Sequence, residues 1–214
     1  IMSAMCNIAG SSPVYRSIRA TFWLLLFIFI SNPRPIGHIN DFRSEDVSKG
    51  GQGAPLVPIG DRHLFAEFPI CLNIGGIANV SYEMNGRRIA YDICMANQLL
   101  NYLANKLGYD YDNNGQFAKQ GKVDKELFDI LNDNAYYKQD APKSLGREFF
   151  ENVQHKIIDE SSLSINDLLA TATEHIAHQI VKSTDNLEKS KMLVTGGGAK
   201  NNFLIERICS LSKH

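Results

Sequence analysis

The apolar and polar positions in the middle of the chain predict a three-stranded meander. The apolar segment Phe68–Ile74 ends at a glycine pair, and Ala78–Met84 has the pattern of its hairpin partner. The dipeptide Asn85-Gly86 is a strong signal for a type I′ turn between antiparallel strands. Residues Arg87–Asp92 are therefore predicted as a third antiparallel strand that ends at Asp92.

Helical spacing dominates the sequence that follows. Apolar residues over Met95–Leu107 recur at helical intervals, and Gly108 is placed to end that helix. A helix-start signal at Ser164 predicts a long helix to about Ser183. Residues 191–195 then predict a strand, followed by a glycine turn and a helix over 201–211. Shorter helices are predicted over Lys125–Leu131 and from about Phe149. The fold class is predicted to be α/β, with a mixed sheet that contains the meander and is flanked by helices.

The first 36 residues differ from the rest of the chain. Phe22–Ile30 is wholly apolar, with Arg16 and Arg19 before it and a proline-rich stretch after it. Nine apolar residues are about half of what a membrane-spanning helix needs. A targeting signal, a buried strand and a segment translated in the wrong frame remain open. A boundary between residues 36 and 37 is predicted.

Composition excludes several partner classes. The chain of 214 residues has 22 basic and 23 acidic residues and a net charge of −1, which gives no electrostatic basis for binding nucleic acid or an anionic membrane. The four cysteines lack metal-binding spacing and indicate a reducing, cytoplasmic environment. The six histidines form no ligand motif, so no protein metal site is predicted. His175 and His178, three apart on a predicted helix, are expected at a surface or an interface.

Two glycine turns that follow strands suggest two sides of one nucleotide site. Gly75 and Gly76 follow the first strand, and glycine lets a main chain approach a phosphate and adopt positive φ. Asn73, Asn79 and Ser81 are candidate neutral donors beside that turn. An ordinary hairpin turn is the alternative. The second turn lies at Gly196, Gly197 and Gly198.

Asp92 is the candidate general base, because it follows the first glycine turn and ends the predicted third strand. Its alternative role is to cap the next helix. Lys143 and Arg147 are candidates for contacting an anionic group, or else ordinary surface charges. Phosphoryl transfer needs positioning, a base and a bridging metal, and Mg²⁺ is often held mainly by phosphates and water.

Five strings in order resemble the anhydro-N-acetylmuramic acid kinase family over residues 37–211. They are Asp-Phe-Arg at 41–43, Gly-Gly-Gln-Gly-Ala-Pro-Leu at 50–56, Leu-Asn-Ile-Gly-Gly-Ile-Ala-Asn at 72–79, Pro-Lys-Ser-Leu-Gly-Arg-Glu at 142–148, and Gly-Gly-Gly-Ala-Lys-Asn at 196–201. The resemblance implies an actin-like, ribonuclease H-like lobe of the sugar kinase and Hsp70 ATPase superfamily. It implies an ATP-dependent enzyme of peptidoglycan recycling that opens the 1,6-anhydro ring and produces N-acetylmuramic acid 6-phosphate.

The resemblance also assigns residue roles. Asp92 is implied as the base that activates water, and Gly75, Gly76 and Asn79 as phosphate contacts. Adenosine contacts are implied at Gly196, Gly197 and Gly198. Substrate contacts are implied at four positions: Asn97, Lys143, Arg147 and Glu148. ATP and Mg²⁺ are the implied cofactors, a small sugar is the implied partner, and a homodimer is a further expectation.

The sequence departs from the family pattern in several places. Ile93–Ala96 replaces a Thr-Gly-Pro-Gly string after the aspartate, and Leu145 replaces a threonine. The family's opening phosphate hairpin has no match here, and neither does its last strand and helix. Residues 37–214 are therefore expected to be mostly the second lobe, with 1–36 outside the family, and the chain is expected to be inactive alone. An inactive remnant or partial nucleotide-binding module is the alternative to a kinase, and another sugar kinase is a weaker one.

Overall fold

The computed structural model describes residues 42–50, 53, 58–185, 187 and 191–212, with side chains from residue 44 onward. The predictions for residues 1–36, for the boundary at 37 and for most of the loop 50–56 lie outside these residues. The strands are β1 (Ile70–Ile74), β2 (Ile77–Met84), β3 (Arg87–Met95) and β4 (Met192–Thr195). The helices are α1 (Phe42–Ser48), α2 (Pro58–Leu64), α3 (Asn97–Asn105), α4 (Lys125–Asn132), α5 (Arg147–Phe149), α6 (His155–Asp159), α7 (Ile165–Thr184) and α8 (Asn202–Leu211). A π-helical turn (Phe150–Gln154) joins α5 to α6.

The sheet has the order β3-β2-β1-β4. Strands β1, β2 and β3 pair antiparallel, and β4 pairs parallel to β1. The predicted mixed sheet with an antiparallel meander is therefore confirmed. A parallel partner needs a crossover connection, and the whole helical segment from α3 to α7 supplies it.

The two faces of the sheet are covered unequally. On one face Ile70, Leu72 and Ile74 of β1 are buried in the main core, to which α3 and α7 contribute their apolar sides. Leu99 and Leu103 of α3, at helical spacing, are both fully buried there. The opposite face has a smaller apolar cluster formed by Phe65, Phe68, Cys71 and Leu193. Among the described residues, no helix combines the length and the apolar character that a membrane crossing needs.

The predicted turn and cap signals are confirmed. Asn85 and Gly86 have φ of 52° and 75°, as a type I′ turn requires. Gly108 has φ of 83° just beyond α3. Ser164 precedes α7, and its hydroxyl accepts a hydrogen bond from the N–H of Asp167 at 3.2 Å.

The end of the third strand was predicted wrongly. β3 continues past Asp92 to Met95, and α3 begins at Asn97 and ends at Asn105 instead of covering Met95–Leu107. A bulge between Ala78 and Asn79 shifts the register, so that Ala78 pairs with Cys94 and Ile77 with Met95. The pairing therefore continues through residues whose apolar sequence also fits a helix.

His175 was expected at a surface or an interface, but its side chain is fully buried. Its Nδ1 lies 2.9 Å from Oδ1 of Asn132, and its Nε2 lies 3.3 Å from the hydroxyl of Tyr137. Gln179 and Gln154 extend this network, since Gln179 donates to Asn132 at 2.6 Å and Gln154 donates to Tyr137 at 3.3 Å. The network fastens the segment before α5 to the centre of α7.

The glycine turn after β4 packs against the end of β1. Gly196 has φ of 87°, and a Cβ on it would overlap the carbonyl group of Ile74. A Cβ on Gly198 would overlap the side chain of Ile74. A Cβ on Gly197 would lie 3.4 Å from Nδ2 of Asn97, which is ordinary contact. Glycine is therefore required by the fold at 196 and 198, and not at 197.

We expect Gly196→Ala to lower the free energy of unfolding by about 2 kcal/mol or more, because it adds left-handed strain of about 1–2 kcal/mol to a main-chain clash. Gly197→Ala is the matched control and should change stability by no more than about 0.5–1 kcal/mol. Denaturant unfolding of both variants measures the difference. A larger loss in Gly197→Ala would contradict the packing described for this turn.

Stability should also depend on the protonation of His175. Burial, followed by the charge of His178, lowers the pKa of His175 to about 3 from 6.5. The unfolded chain therefore takes up this proton below pH 6.5 while the folded chain does not, so the free energy of unfolding should fall by at most about 1.4 kcal/mol per pH unit from pH 6.5 towards pH 3. Above pH 6.5 this residue contributes no pH dependence.

The test compares denaturant unfolding of the wild type, His175→Gln and His63→Gln between pH 7 and pH 4. His63 is exposed and serves as the control for a change from histidine to glutamine. His175→Gln should have a smaller slope than both. Equal slopes in all three proteins would contradict the assignment of a buried neutral histidine.

Candidate active site

The first glycine turn is docked on the N-terminus of α3. The carbonyl of Gly76 accepts hydrogen bonds from the N–H groups of Ala96 at 2.8 Å and Gln98 at 3.2 Å. The carbonyl of Gly75 accepts one from the N–H of Asn97 at 3.1 Å. The first N–H groups of α3 are thus paired within the protein, as helix termini require.

The geometry of this turn differs from the predicted one. Neither Gly75 nor Gly76 has a positive φ, so glycine is not needed at these positions for a left-handed conformation. The N–H of Gly75 donates to the carbonyl of Ile77 at 3.3 Å. Gly76 is exposed, and a Cβ on it would meet only Cβ of Gln98 at 3.9 Å. The main chain at Gly76 is therefore accessible from the open side of the turn.

The second glycine turn lies beside the first, because β1 and β4 are parallel neighbours whose carboxyl ends share one edge of the sheet. Asn97 connects the two turns. Its Nδ2 donates to the carbonyl of Ile74 at 3.2 Å, and it faces Gly197. The structure thus brings Gly75, Gly76, Asn97 and Gly197 together, although the two glycine turns are separated by most of the chain.

An open cleft of about 710 Å³ lies next to this junction. Its walls are α3, the start of α8 and the loop that precedes residue 115, and most of its side chains are amides. The lining residues include Asn97, Asn101, Asn113, Asn114, Gly197 and Asn201. Of these residues, only Asn97 and Gly197 were predicted from the sequence as site residues. The asparagine-rich loop at 109–115 has no motif that indicates its position next to the glycine turns.

Three polar groups of Asp92 form hydrogen bonds with one segment of the chain. Its side chain is buried, with 4% exposure. Its N–H donates to the carbonyl of Lys143 at 3.2 Å, and its carbonyl accepts from the hydroxyl of Tyr136 at 2.5 Å. Carboxylate oxygen Oδ2 accepts from the N–H of Leu145 at 2.9 Å. The alternative role as a helix cap is wrong, because the residue at the N-cap of α3 is Ala96 and no side chain caps it.

A row of polar residues joins Asp92 to the second glycine turn. Asp92 pairs with Asn79, Asn79 pairs with Asn73, and Asn73 pairs with Thr195 across the four strands. Residues directly opposite each other point to the same face and have Cβ atoms about 5 Å apart. The hydroxyl of Thr195 lies 3.4 Å from Oδ1 of Asn73. Thr195 was not found from the sequence, since nothing there indicates which residue of β1 it faces.

Ser81, another candidate donor, belongs to a different cluster. It is buried one step further along β2, where its hydroxyl donates to Oδ2 of Asp61 at 2.7 Å. Nη2 of Arg88 donates to the same hydroxyl at 3.0 Å. Ser81 is thus engaged beside α2, on the part of the sheet away from the glycine turns.

The remaining predicted substrate residues lie along the segment that holds Asp92. Nζ of Lys143 donates to the carbonyls of Tyr136 at 3.2 Å and Gln139 at 3.0 Å, and burial lowers the pKa of this amine. Arg147 and Glu148 are exposed, and Nε of Arg147 lies 2.8 Å from Oε1 of Glu151. Contact of these three residues with a substrate stays a prediction.

The described residues contain no group of three or more His, Cys, Asp or Glu side chains placed to hold a metal ion. Asp112, at the edge of the cleft, accepts hydrogen bonds from the N–H groups of Phe117 and Ala118, each at 2.9 Å. That carboxylate therefore shapes its own loop. The donor set near the glycine turns consists of amides, hydroxyls and main-chain groups, which suits an uncharged or anionic ligand better than a bare cation.

A family profile and the most similar curated proteins that we compared carry the same family name. The profile of the family described as Anhydro-N-acetylmuramic acid kinase matches residues 17–213. That match begins before residue 37, and the predicted boundary there stays a prediction. Proteins of this name from Actinobacillus pleuropneumoniae serotype 7 (strain AP76) and Pasteurella multocida (strain Pm70) are each 38% identical over 183 residues. The alignments cover 81% of this chain and 50% and 48% of those proteins, respectively.

The chain thus spans about half the length of the curated relatives it matches. Among solved structures, component A of the (R)-2-hydroxyglutaryl-CoA dehydratase of Acidaminococcus fermentans matches with a TM-score of 0.39 and 18% identity, covering 71% of this chain and 55% of that one. A score of this size carries no argument about fold or function. The family match over most of the sequence does: the chain belongs to the anhydro-N-acetylmuramic acid kinase family.

Proposed function

We propose that the whole protein is an ATP-dependent kinase that opens 1,6-anhydro-N-acetylmuramic acid and releases N-acetylmuramic acid 6-phosphate, in the recycling of peptidoglycan. Membership of the family supports this activity. The observation that carries it is the carboxylate of Asp92, which is buried and fixed at the end of a polar row that leads to the glycine turns. A fixed carboxylate beside a phosphate site is what a base in this reaction requires.

In the proposed mechanism Asp92 acts on water. The carboxylate removes a proton as the water oxygen attacks C1 of the sugar, and the bond between C1 and O6 breaks. O6 then attacks the γ-phosphate of ATP, and ADP leaves. The hydrogen bond from the N–H of Leu145 to Oδ2 of Asp92 favours the ionised, base-competent form of the carboxylate.

The nucleotide is proposed to lie along the shared edge of β1 and β4. Gly75, Gly76 and Asn79 would contact its phosphates, and Gly196–Gly198 with the adjacent cleft would hold the adenosine. Mg²⁺ would be bound through phosphate oxygens and water, since the described residues supply no cluster of ligands for it.

The finer architecture is part of the same proposal. We infer that residues 37–214 belong mostly to the second lobe of an actin-like kinase, in which Asn97, Lys143, Arg147 and Glu148 contact the sugar. We place the protein in the cytoplasm, where ATP is available, and retain homodimer formation as a prediction.

The alternative is an inactive remnant or a partial nucleotide-binding module. Within the described residues it is favoured by the replacement of the family's glycines after Asp92, where Cys94 and Met95 are fully buried and paired with β2. The two functions differ in one measurement, because a module would bind ATP without sugar-dependent release of ADP.

Asp92→Asn should greatly lower the turnover of the full-length protein, while its affinity for ATP stays similar to that of the wild type. Asparagine keeps an oxygen that can accept from Leu145, so the fold should persist, but loss of a general base costs about a hundredfold or more in rate. Asp124→Asn is the control, because Asp124 caps α4 by accepting from the N–H of Leu127 at 2.8 Å. Sugar-dependent ADP release measures both variants, and near-normal turnover in Asp92→Asn would reject the base.

Gly76 tests the nucleotide site. Gly76→Ala and Gly76→Val should fold, because the nearest atom to the added Cβ is 3.9 Å away. ATP affinity should fall progressively, by about tenfold or more in Gly76→Val, because the side chain blocks a main-chain hydrogen bond to a charged phosphate. Calorimetry with full-length protein measures the affinity. An unchanged affinity in both variants would make Gly75-Gly76 an ordinary hairpin turn.

A further inference from the structure

The segment 135–145 runs along the outer edge of β3 and contacts Asp92 from three directions. We propose that Tyr136 in this segment is a positioning residue for the catalytic carboxylate of Asp92, acting through the main chain of β3 and through the Leu145 amide. This inference rests on the proposed function, because it assumes that Asp92 is the base. It assigns Tyr136 no contact with substrate.

The hydroxyl of Tyr136 donates a hydrogen bond to the main chain of Asp92. It lies 2.5 Å from the carbonyl oxygen of Asp92, and the side chain is 8% exposed. Burial, followed by the charge of Asp92, raises the pKa of Tyr136 well above its ordinary value. The hydroxyl therefore stays protonated at neutral pH and donates to the carbonyl there.

The main chain of Tyr136 is coupled to the rest of the segment. Its carbonyl accepts from Nζ of Lys143, which also lies 4.8 Å from the centre of the Tyr136 ring. The carbonyl of Lys143 in turn accepts from the N–H of Asp92, and two residues later the N–H of Leu145 donates to the carboxylate. A shift of Tyr136 is therefore transmitted to the Leu145 amide that aims the carboxylate.

Tyr137 is a matched control supplied by the chain itself. It is adjacent to Tyr136, it is also buried, and its hydroxyl is also hydrogen-bonded. Its partners are Gln154 and His175, each at 3.3 Å, and neither of them belongs to β3. Tyr137→Phe thus removes a buried hydroxyl from the same segment without removing a hydrogen bond to Asp92.

Position matters here because a base must lie within hydrogen-bonding distance of the proton it removes. A misplacement of about 1 Å can cost about a hundredfold in rate, so a partial loosening should cost less than removal of the carboxylate. The expected signature is a lower kcat with little change in the KM for ATP, since the hydrogen-bonding partners of Tyr136 are Asp92 and Lys143 and do not include the nucleotide turns.

The experiment compares Tyr136→Phe with Tyr137→Phe in two measurements. The first is hydrogen exchange of the Leu145 amide by NMR, which reports the hydrogen bond to the carboxylate directly. The second is kcat and KM for ATP and sugar in the full-length protein. In Tyr136→Phe we expect Leu145 to exchange about fivefold faster, the factor that one ordinary hydrogen bond contributes, and kcat to fall about tenfold. In Tyr137→Phe both should stay within about twofold of the wild type.

Each other outcome counts against the inference. Unchanged exchange of Leu145 in Tyr136→Phe would show that the hydroxyl does not position the carboxylate. Equally faster exchange of Leu145 in both variants would show that loss of any buried hydroxyl loosens the segment, and that Tyr136 has no specific role. Faster exchange with unchanged kcat would show that the hydrogen bond has no catalytic consequence. Absence of sugar-dependent turnover in the wild type would reject the proposed kinase function, while the exchange comparison would still decide whether Tyr136 orients Asp92.

Discussion

The end of β1 at Ile74 is the point on which the candidate site depends. Ile74 is fully buried, and its carbonyl accepts a hydrogen bond from Asn97 of α3. Gly196 and Gly198 fit against the same residue because they have no Cβ. One residue thus fixes the start of a helix and the turn after a neighbouring strand. Both glycine turns are held in place by the packing of the core, and a ligand does not have to assemble them.

The candidate base is organised in a different way. Asp92 lies on the edge strand of the described sheet, where no further strand satisfies its main chain. The segment 135–145 takes that place with a carbonyl, a hydroxyl and an amide. An aspartate inside a strand is costly unless its polar groups are paired. The pairing that makes burial tolerable also fixes the direction of the carboxylate.

Local signals in the sequence were sufficient for much of the fold. Asn85-Gly86 fixed a hairpin because two residues with positive φ are needed in a type I′ turn. Ser164 marked the start of α7 because a hydroxyl there pairs with an orphan N–H of the helix. The apolar run Ile93–Ala96 gave no such signal. Its first three residues belong to β3 because an extra residue at Ile93 forms a bulge opposite Ala78 and Asn79 of β2, and this pairing is a property of two strands together.

The site could be predicted less completely than the fold. Motif spacing identified the glycine turns and Asp92, but Tyr136 lies 44 residues from Asp92 in sequence and carries no motif. The burial of His175 could not be predicted either. Helical periodicity shows which residues share a face of the helix, but it does not show that a buried polar group such as Asn132 is available to hydrogen-bond a histidine there. Long-range partners of this kind are set by tertiary packing, which one sequence does not display.

The parallel pairing of β4 with β1 has a consequence for how the site forms. The meander is built from neighbours in sequence, whereas β4 reaches β1 only after all the intervening helices have been placed. Pairings that close long loops cost more chain entropy than local pairings and are slower to form. The second glycine turn should therefore join the first late in folding. A partly folded chain with an intact meander and core would still present only one of the two turns, so ligand binding would report completion of the fold.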